Sequence, residues 1–203
     1  MKKGNLLFII LLVLSFGACS EKKESGKWTL VWEDNFNRAG WLDTASWTKI
    51  PRGNGDWNKY MSDHEAVCEV RDGNLILRGI QNTILPNDPS PYLTGGVYTK
   101  GKKTFDFGRI EIRAKLTGAR GAHPGIWMFP VDDSGIKGGE IDIMERLNFD
   151  KYIYQTVHSY YTDFLGIKDK PVANSCIVTI APEDYNVYAL EKYPDSLAFF
   201  VND

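Results

Sequence analysis

Glu140-Ile141-Asp142-Ile143-Met144-Glu145 places three carboxylates among large apolar residues, in a stretch with no helix cap and strong β character. Apolar surroundings raise the free energy of an ionised acid, so isolated carboxylates normally sit in water. In a regular strand, residues two apart share a face, so Glu140 and Asp142 point together while Glu145 points the other way. One extra residue at Ile143-Met144, a β-bulge, returns Glu145 to the face of the other two. The spacing therefore predicts a bulged strand, with three carboxyls along one wall of a groove and the core behind it.

The surrounding sequence has the same β character. Ala66 to Val70 and Leu75 to Arg78 flank Arg71-Asp72-Gly73-Asn74, a hairpin signal centred on Asp-Gly. In Phe107 to Lys115, Ile110, Ile112 and Ala114 alternate with Arg109, Glu111, Arg113 and Lys115, which predicts a strand with one buried and one polar face. Further strands are expected at Thr29–Trp32, Gly95–Thr99, Gly125–Phe129, Glu140–Arg146, Ile153–Ser159, Asn186–Leu190 and Leu197–Val201. Many short strands between Gly- and Pro-containing turns, with no long amphipathic helix and no repeat, indicate an all-β sandwich or barrel. The chain stops at Phe199-Phe200-Val201-Asn202-Asp203, a strand entering a turn, and is expected to be truncated there.

The N-terminus reads differently. Lys2 and Lys3 precede an apolar run from Leu6 to Leu14, and Ser15-Phe16-Gly17-Ala18-Cys19 follows. This is the pattern of a secretory signal over residues 1–18, shorter than the ~20 residues of a membrane-spanning helix. The small-small-Cys ending resembles the lipobox of bacterial lipoproteins, with Phe16 where an aliphatic residue is usual. The resemblance implies that Cys19 is lipidated and the protein exported to the outer membrane or cell surface. Without acylation, the same leader points to the periplasm or secretion. Residues 19–27 read as a polar tether, and residues 28–203 as one domain. A formal charge of −2, more acidic once Lys2 and Lys3 are removed, argues against nucleic acid. Six Trp and ten Tyr in an exported chain suit sugar stacking as well as core packing. Cys68 and Cys176 can pair in an oxidising compartment or remain free thiols.

Three acids on one groove wall suit glycoside hydrolysis by two carboxyl groups. One Glu must be ionised to attack the anomeric carbon, and another must hold a proton for the departing oxygen. Clustered negative charges repel, which raises at least one pKa. Asp142, between the two Glu residues, is placed to share a proton or hydrogen-bond with the nucleophile. Long side chains leaning together on a concave strand can approach the ~5 to 5.5 Å carboxyl separation of a retaining enzyme.

The chain resembles glycoside hydrolase family 16, the laminarinase, lichenase, agarase and carrageenase group. The likeness rests on Leu30-Val31-Trp32-Glu33-Asp34-Asn35-Phe36-Asn37, Asp72-Gly73-Asn74-Leu75, Thr99-Lys100, Phe107 to Lys115, Pro124-Gly125-Ile126-Trp127-Met128 and Gly139 to Glu145, in the family's order. It implies a β-jelly-roll sandwich of two antiparallel sheets with an open substrate cleft. It also implies Glu140 as nucleophile, Asp142 as helper and Glu145 as acid/base, with a bulged motif closer to the laminarinase-like branch. His123 stands where the family often has Trp, so a sugar platform beside the scissile bond is altered.

Trp127, one strand from the carboxylates, is a candidate sugar platform. Trp57 and Asn54, in the Gly-rich segment Gly53 to Asn58, are expected in a cleft loop, where a large aromatic usually covers something. His158 is expected to hydrogen-bond a sugar hydroxyl or the acid/base Glu. Arg109 reads as structural. Gly96 to Lys102 has the spacing of a phosphate-binding loop, but Lys103 replaces the Ser/Thr that would hold magnesium. The histidines His64, His123 and His158 lack zinc-site spacing. No cofactor is required; by family analogy a structural calcium ion fits near Glu33.

These readings converge on a monomeric, retaining endo-hydrolase of β-1,3- or mixed-linkage β-1,3/1,4-glucans, anchored through Cys19. A galactan hydrolase of the agarase or porphyranase type is the alternative, and sulfate recognition there would use Arg52 or Lys59. A non-catalytic surface glycan-binding lipoprotein is the reading from a different class, disfavoured because a binder has no need for three acids under the sugar.

Overall fold

The computed structural model describes residues 28–131, 139–167 and 175–203. The expected leader over 1–18, the tether over 19–27 and the lipidation site Cys19 lie outside them. Contacts divide the chain into a unit ending at Val31, of which Trp28–Val31 are described, and a unit Trp32–Asp203 that holds every strand of the described residues.

Among the described residues thirteen strands follow in chain order: β1 Thr48–Lys49, β2 Cys68–Arg71, β3 Asn74–Leu77, β4 Gly79–Gln81, β5 Tyr92–Thr94, β6 Val97–Tyr98, β7 Gly108–Ala114, β8 Gly125–Met128, β9 Glu140–Glu145, β10 Tyr152–His158, β11 Ser175–Thr179, β12 Asn186–Lys192 and β13 Leu197–Val201. A single π-helical turn, Tyr160–Phe164, follows β10. The larger sheet has the order β11-β10-β9-β8 and the smaller β13-β12-β7, with all these pairs antiparallel. Three two-stranded pieces, β1–β6, β2–β3 and β4–β5, complete the architecture.

The two main sheets share one apolar core. Ile143 and Met144 of β9 and Ile153 of β10 meet Tyr188 and Leu190 of β12, with Leu116 and Ile180 alongside. Ile110, Ile112 and Ala114 of β7 pack on this cluster, as the alternation requires, while Glu111 and Arg113 are exposed. Arg109 is structural: it pairs with Glu111 at 2.7 Å and with Glu191 on β12 at 3.0 Å. The β2–β3 hairpin turns at Asp72 and Gly73, both at positive φ (53° and 69°), the conformation for which Asp-Gly is selected.

The register of β9 contains the extra residue that the carboxylate spacing demands. Against β8, Met144 pairs with Ile126 and Asp142 with Trp127, so Ile143 has no partner. Against β10, Glu145 pairs with Tyr154 and Asp142 with Thr156, leaving Ile143 and Met144 opposite Gln155 alone. Ile143 and Met144, although adjacent, are both 1% exposed and both in the core cluster. That arrangement returns Glu145 to the side of Glu140 and Asp142. A bulge disrupts the ladder and leaves a backbone group to satisfy. The buried Gln155 amide does so, donating from Nε2 to the Ile143 carbonyl at 3.1 Å, while its Oε1 accepts from Cys176 Sγ at 3.4 Å. Cys68 and Cys176 are both free thiols.

Two expectations need correction. Thr29–Trp32 is irregular, with Leu30 and Val31 exposed and no ladder partner among the described residues. Alternating β-formers do not hold a strand without pairing. Strands β1, β4, β5 and β11 were not anticipated. The first three have only two or three residues, too few to show a period, and β11 is a largely exposed edge strand from which Val178 packs on the core.

Replacing Gln155 by Leu should leave the Ile143 carbonyl buried without a donor. The expected loss is about 1–3 kcal/mol, seen as a fall of several degrees in the calorimetric melting temperature. An unchanged transition would show that the bulge does not depend on this amide.

Candidate active site

The cleft face of β9 is built by cross-strand register. Residues directly opposite in an antiparallel pair lie on the same face. Asp142 is therefore flanked by Trp127 and Thr156, Glu140 by His158, and Glu145 by Gly125 and Tyr154. Gly139, which precedes the motif, has φ +74°, and a Cβ there would lie 2.5 Å from the His158 carbonyl oxygen. Only glycine lets the strand begin so close to β10.

Asp142 is 2% exposed, while Glu140 and Glu145 are half-buried. Burial, followed by the charges of Glu145 and Glu140, pushes the Asp142 carboxyl up to about 7. It therefore holds a proton in mildly acid to neutral solution and is hydrogen-bonded to the Glu140 carboxyl. Burial also raises Glu140, but this hydrogen bond and the neighbouring His158 favour its ionised form. A buried acid that donates to its neighbour is one way to keep a second carboxyl ionised in an apolar wall.

Glu145 behaves differently. Its Oε1 lies 2.7 Å from His123 Nε2, and this hydrogen bond holds the Glu145 carboxyl below the usual glutamate range. The same contact raises the His123 imidazole. His123 thus faces a carboxylate directly. His158 is not placed against Glu145, contrary to one of the two sequence expectations for it. Its Nε2 lies 3.1 Å from Asp142 Oδ2 and its Nδ1 3.0 Å from Asp163 Oδ2. Asp163 belongs to the π-helical turn, which Ser159 caps by accepting from the Thr162 backbone N–H. Sequence reasoning missed Asp163; the only signal was its place five residues after a histidine.

Aromatic side chains extend the wall. Trp57 meets Trp127 edge to face with centroids 5.5 Å apart, and Trp127 meets Phe129 likewise at 5.6 Å. The ring contact brings the loop with Trp57 against the carboxylate sheet, and the exposed Phe129 is an addition. Asn54 is exposed in the same loop and, among the described residues, makes no hydrogen bond or ion pair to the carboxylates. Arg52 and Lys59 are already engaged. Arg52 forms a bidentate pair with Asp88 at 2.8 and 2.7 Å, and Lys59 pairs with Asp56 at 2.6 Å.

No group of three or more His, Cys, Asp or Glu side chains is arranged to hold a metal ion among the described residues. Near Glu33, both oxygens of Asp34 are taken, one by the Phe36 backbone N–H and one by Trp47 Nε1, each at 2.8 Å.

Comparison with known proteins identifies the scaffold. The profile of glycosyl hydrolases family 16 matches residues 57–203, which include the whole carboxylate strand. The chain belongs to this family. A keratan-sulfate endo-1,4-β-galactosidase of Sphingobacterium multivorum is 35% identical over 178 residues, 86% of this chain and 41% of that protein. A β-glucanase of Rhodothermus marinus is 31% identical over 216 residues, 100% of this chain and 73% of that protein. The laminarinase structure from Rhodothermus marinus superposes with a TM-score of 0.74 at 29% identity, covering 87% of this chain and 72% of that one. The all-β sandwich is accordingly the jelly roll of family 16. The chain spans less than half the length of the galactosidase and about three quarters of the β-glucanase.

The raised Asp142 acid has a consequence for stability. Its folded-state pKa lies above the unfolded value of 3.8, so the folded protein binds the extra proton between about pH 4 and 7. Stability then falls as pH rises through that window. The D142N variant should therefore gain on the wild type as pH increases from 5 to 8, by on the order of 2 kcal/mol at the upper end. Urea unfolding at several pH values measures this, and a pH-independent difference would contradict it.

Proposed function

We propose that this chain is a retaining endo-glycoside hydrolase acting on β-1,3- or mixed-linkage β-1,3/1,4-glucans. The observation that carries the reading is the bulged β9 strand, which presents Glu140, Asp142 and Glu145 on one face with Asp142 hydrogen-bonded to Glu140. Glu140 attacks the anomeric carbon and forms a covalent glycosyl-enzyme. Asp142 supplies the hydrogen bond that steadies its charge. Glu145 protonates the departing oxygen and then takes a proton from the attacking water. Trp57 and Trp127 offer ring faces and edges to sugars along the cleft, with His158, His123 and Asn54 as further candidate contacts.

The glucan assignment is supported by relatives described as a β-glucanase and a laminarinase. A second reading, a galactan hydrolase, has the keratan-sulfate endo-1,4-β-galactosidase in its favour. Within it, the engagement of Arg52 by Asp88 and of Lys59 by Asp56 favours a galactan without sulfate at this loop. The carboxylate set favours hydrolysis over glycan binding alone.

The reaction needs no cofactor in this reading. A structural calcium ion near Glu33 would have to draw mainly on backbone carbonyls, since Asp34 already accepts two hydrogen bonds. The protein is further proposed to be an exported monomer, held on an outer-membrane or cell-surface lipid layer through acylated Cys19. Replacing Cys19 by Ala should move it from the membrane fraction to the soluble fraction. A variant that stays with the membrane would remove the anchor from the proposal.

Glu140→Gln should lower reducing-end release by at least ~10³-fold while preserving the fold. The assay compares laminarin, barley β-glucan, agarose and desulfated keratan with the protein and its variant. Release from a glucan, lost in the variant, supports the first reading. Release only from a galactan transfers the mechanism to the second. Binding without release from any of them would sink the hydrolase.

A further inference from the structure

His123 lies 2.7 Å from Glu145, and its surroundings hold it there. The segment before β8 is tied to the end of β9 by a short ladder. The Arg146 N–H donates to the Pro124 carbonyl at 3.0 Å, and the Asn148 N–H to the Ala122 carbonyl at 2.9 Å. The Asn148 side chain accepts from the Gly121 N–H at 2.7 Å. Asn148 adopts a left-handed conformation, φ 51°, and uses both its backbone and its side chain on this segment. His123 is thus anchored on both sides by contacts to the segment that leaves the strand of its partner. The ring is 53% exposed and the Glu145 side chain 26%, so their 2.7 Å contact lies at the cleft rather than in the core.

We infer that His123 and Glu145 work as a pair that holds a single acid/base proton, with His123 positioning Glu145 and keeping that proton beside it when the cleft is empty. The inference rests on the proposed role of Glu145 in hydrolysis. In the resting pair the proton sits on His123 Nε2 and Glu145 is a carboxylate. When Glu140 attacks, the proton crosses the hydrogen bond to Glu145 and passes to the glycosidic oxygen. The C–O bond breaks with its electron pair on that oxygen, leaving neutral His123 and a glycosyl ester on Glu140. In the second step Glu145 takes a proton from water as its oxygen bonds to the anomeric carbon and the ester bond to Glu140 breaks. The proton then returns to His123.

The charged groups around the pair agree with this assignment. From β9, Glu145 favours the charged imidazole through its hydrogen bond, and Asp142 does so at longer range once it ionises. His158, opposite Glu140 on β10, also favours ionised Glu145. Gly125, Ile126 and Trp127 on the adjoining β8 bring no charge. Arg146, the residue after Glu145, is turned away and donates to the Leu116 and Asp150 carbonyls. No other cation acts on Glu145 among the described residues.

If the pair holds the working proton, the alkaline limb of kcat/KM follows loss of the proton from His123 rather than from Glu145. His123→Gln keeps a donor at the same reach but cannot titrate, and His123→Trp replaces the imidazole with a ring that carries no titratable nitrogen. In both, the alkaline limb should move toward acid by about one pH unit, with the acid limb and melting temperature little changed. A limb that stays in place in both variants overturns the inference while leaving the hydrolase reading intact. An independent readout is the NMR titration of the three imidazoles, with His123 assigned by its disappearance in His123→Gln. Its midpoint should lie above that of an ordinary imidazole and fall back in Glu145→Gln. A midpoint indifferent to that change overturns the pair whether or not sugar is cleaved. Failure of the wild type to cleave any of the four glycans sinks the hydrolase reading and the pair's catalytic role with it.

Discussion

The bulge in β9 is the constraint on which the cleft depends. A strand has two faces, and this one must give three acids to one and three large apolar residues to the other within six positions. Strict alternation cannot do that for a Glu at the sixth position. By doubling Ile143 and Met144 on the core side, the chain brings Glu145 back to the cleft side without breaking the sheet. The irregularity leaves a backbone carbonyl to satisfy, and Gln155 satisfies it from the neighbouring strand. Core packing, backbone hydrogen bonding and placement of the acids are therefore one problem with one solution.

The same strand creates an electrostatic problem, and neighbours from other elements divide it. Burial and mutual repulsion are relieved at Asp142 by holding a proton, and at Glu145 by an imidazole. Glu140 lies between these extremes, raised by burial but hydrogen-bonded to a protonated neighbour. Three chemically similar acids thus acquire three environments, the condition under which one carboxyl can act as nucleophile and another handle protons. His158 favours ionised Glu140 from a fixed place, its ring held between Asp163 and Asp142. The aromatic chain from Trp57 through Trp127 to Phe129 adds an apolar wall to this polar floor.

Much of this was legible in the chain because it depends on short-range periodicity. Alternation over Phe107–Lys115, the Asp72-Gly73 turn and the carboxylate spacing with its implied bulge each involve residues within a few positions of one another. Thr29–Trp32 shows the limit of that kind of reading, for a good alternating pattern forms no ladder without a partner among the described residues. Edge strand β11 shows the converse: pairing to β10 makes it a strand although most of its side chains are exposed.

The sequence by itself determined the all-β class, the strand that bears Glu140, Asp142 and Glu145, and the need for an extra residue within it. Those features follow from which side chains can share a face, a property of neighbouring residues. Only the tertiary structure decided that His123 faces Glu145, that His158 lies between Asp142 and Asp163, and that Arg52 and Lys59 are neutralised by Asp88 and Asp56. It also decided that Asp142, rather than Glu145, is the acid driven furthest upward. Ionisation depends on burial and on charges brought close by strand register and loop path, and no local period in the chain encodes those distances.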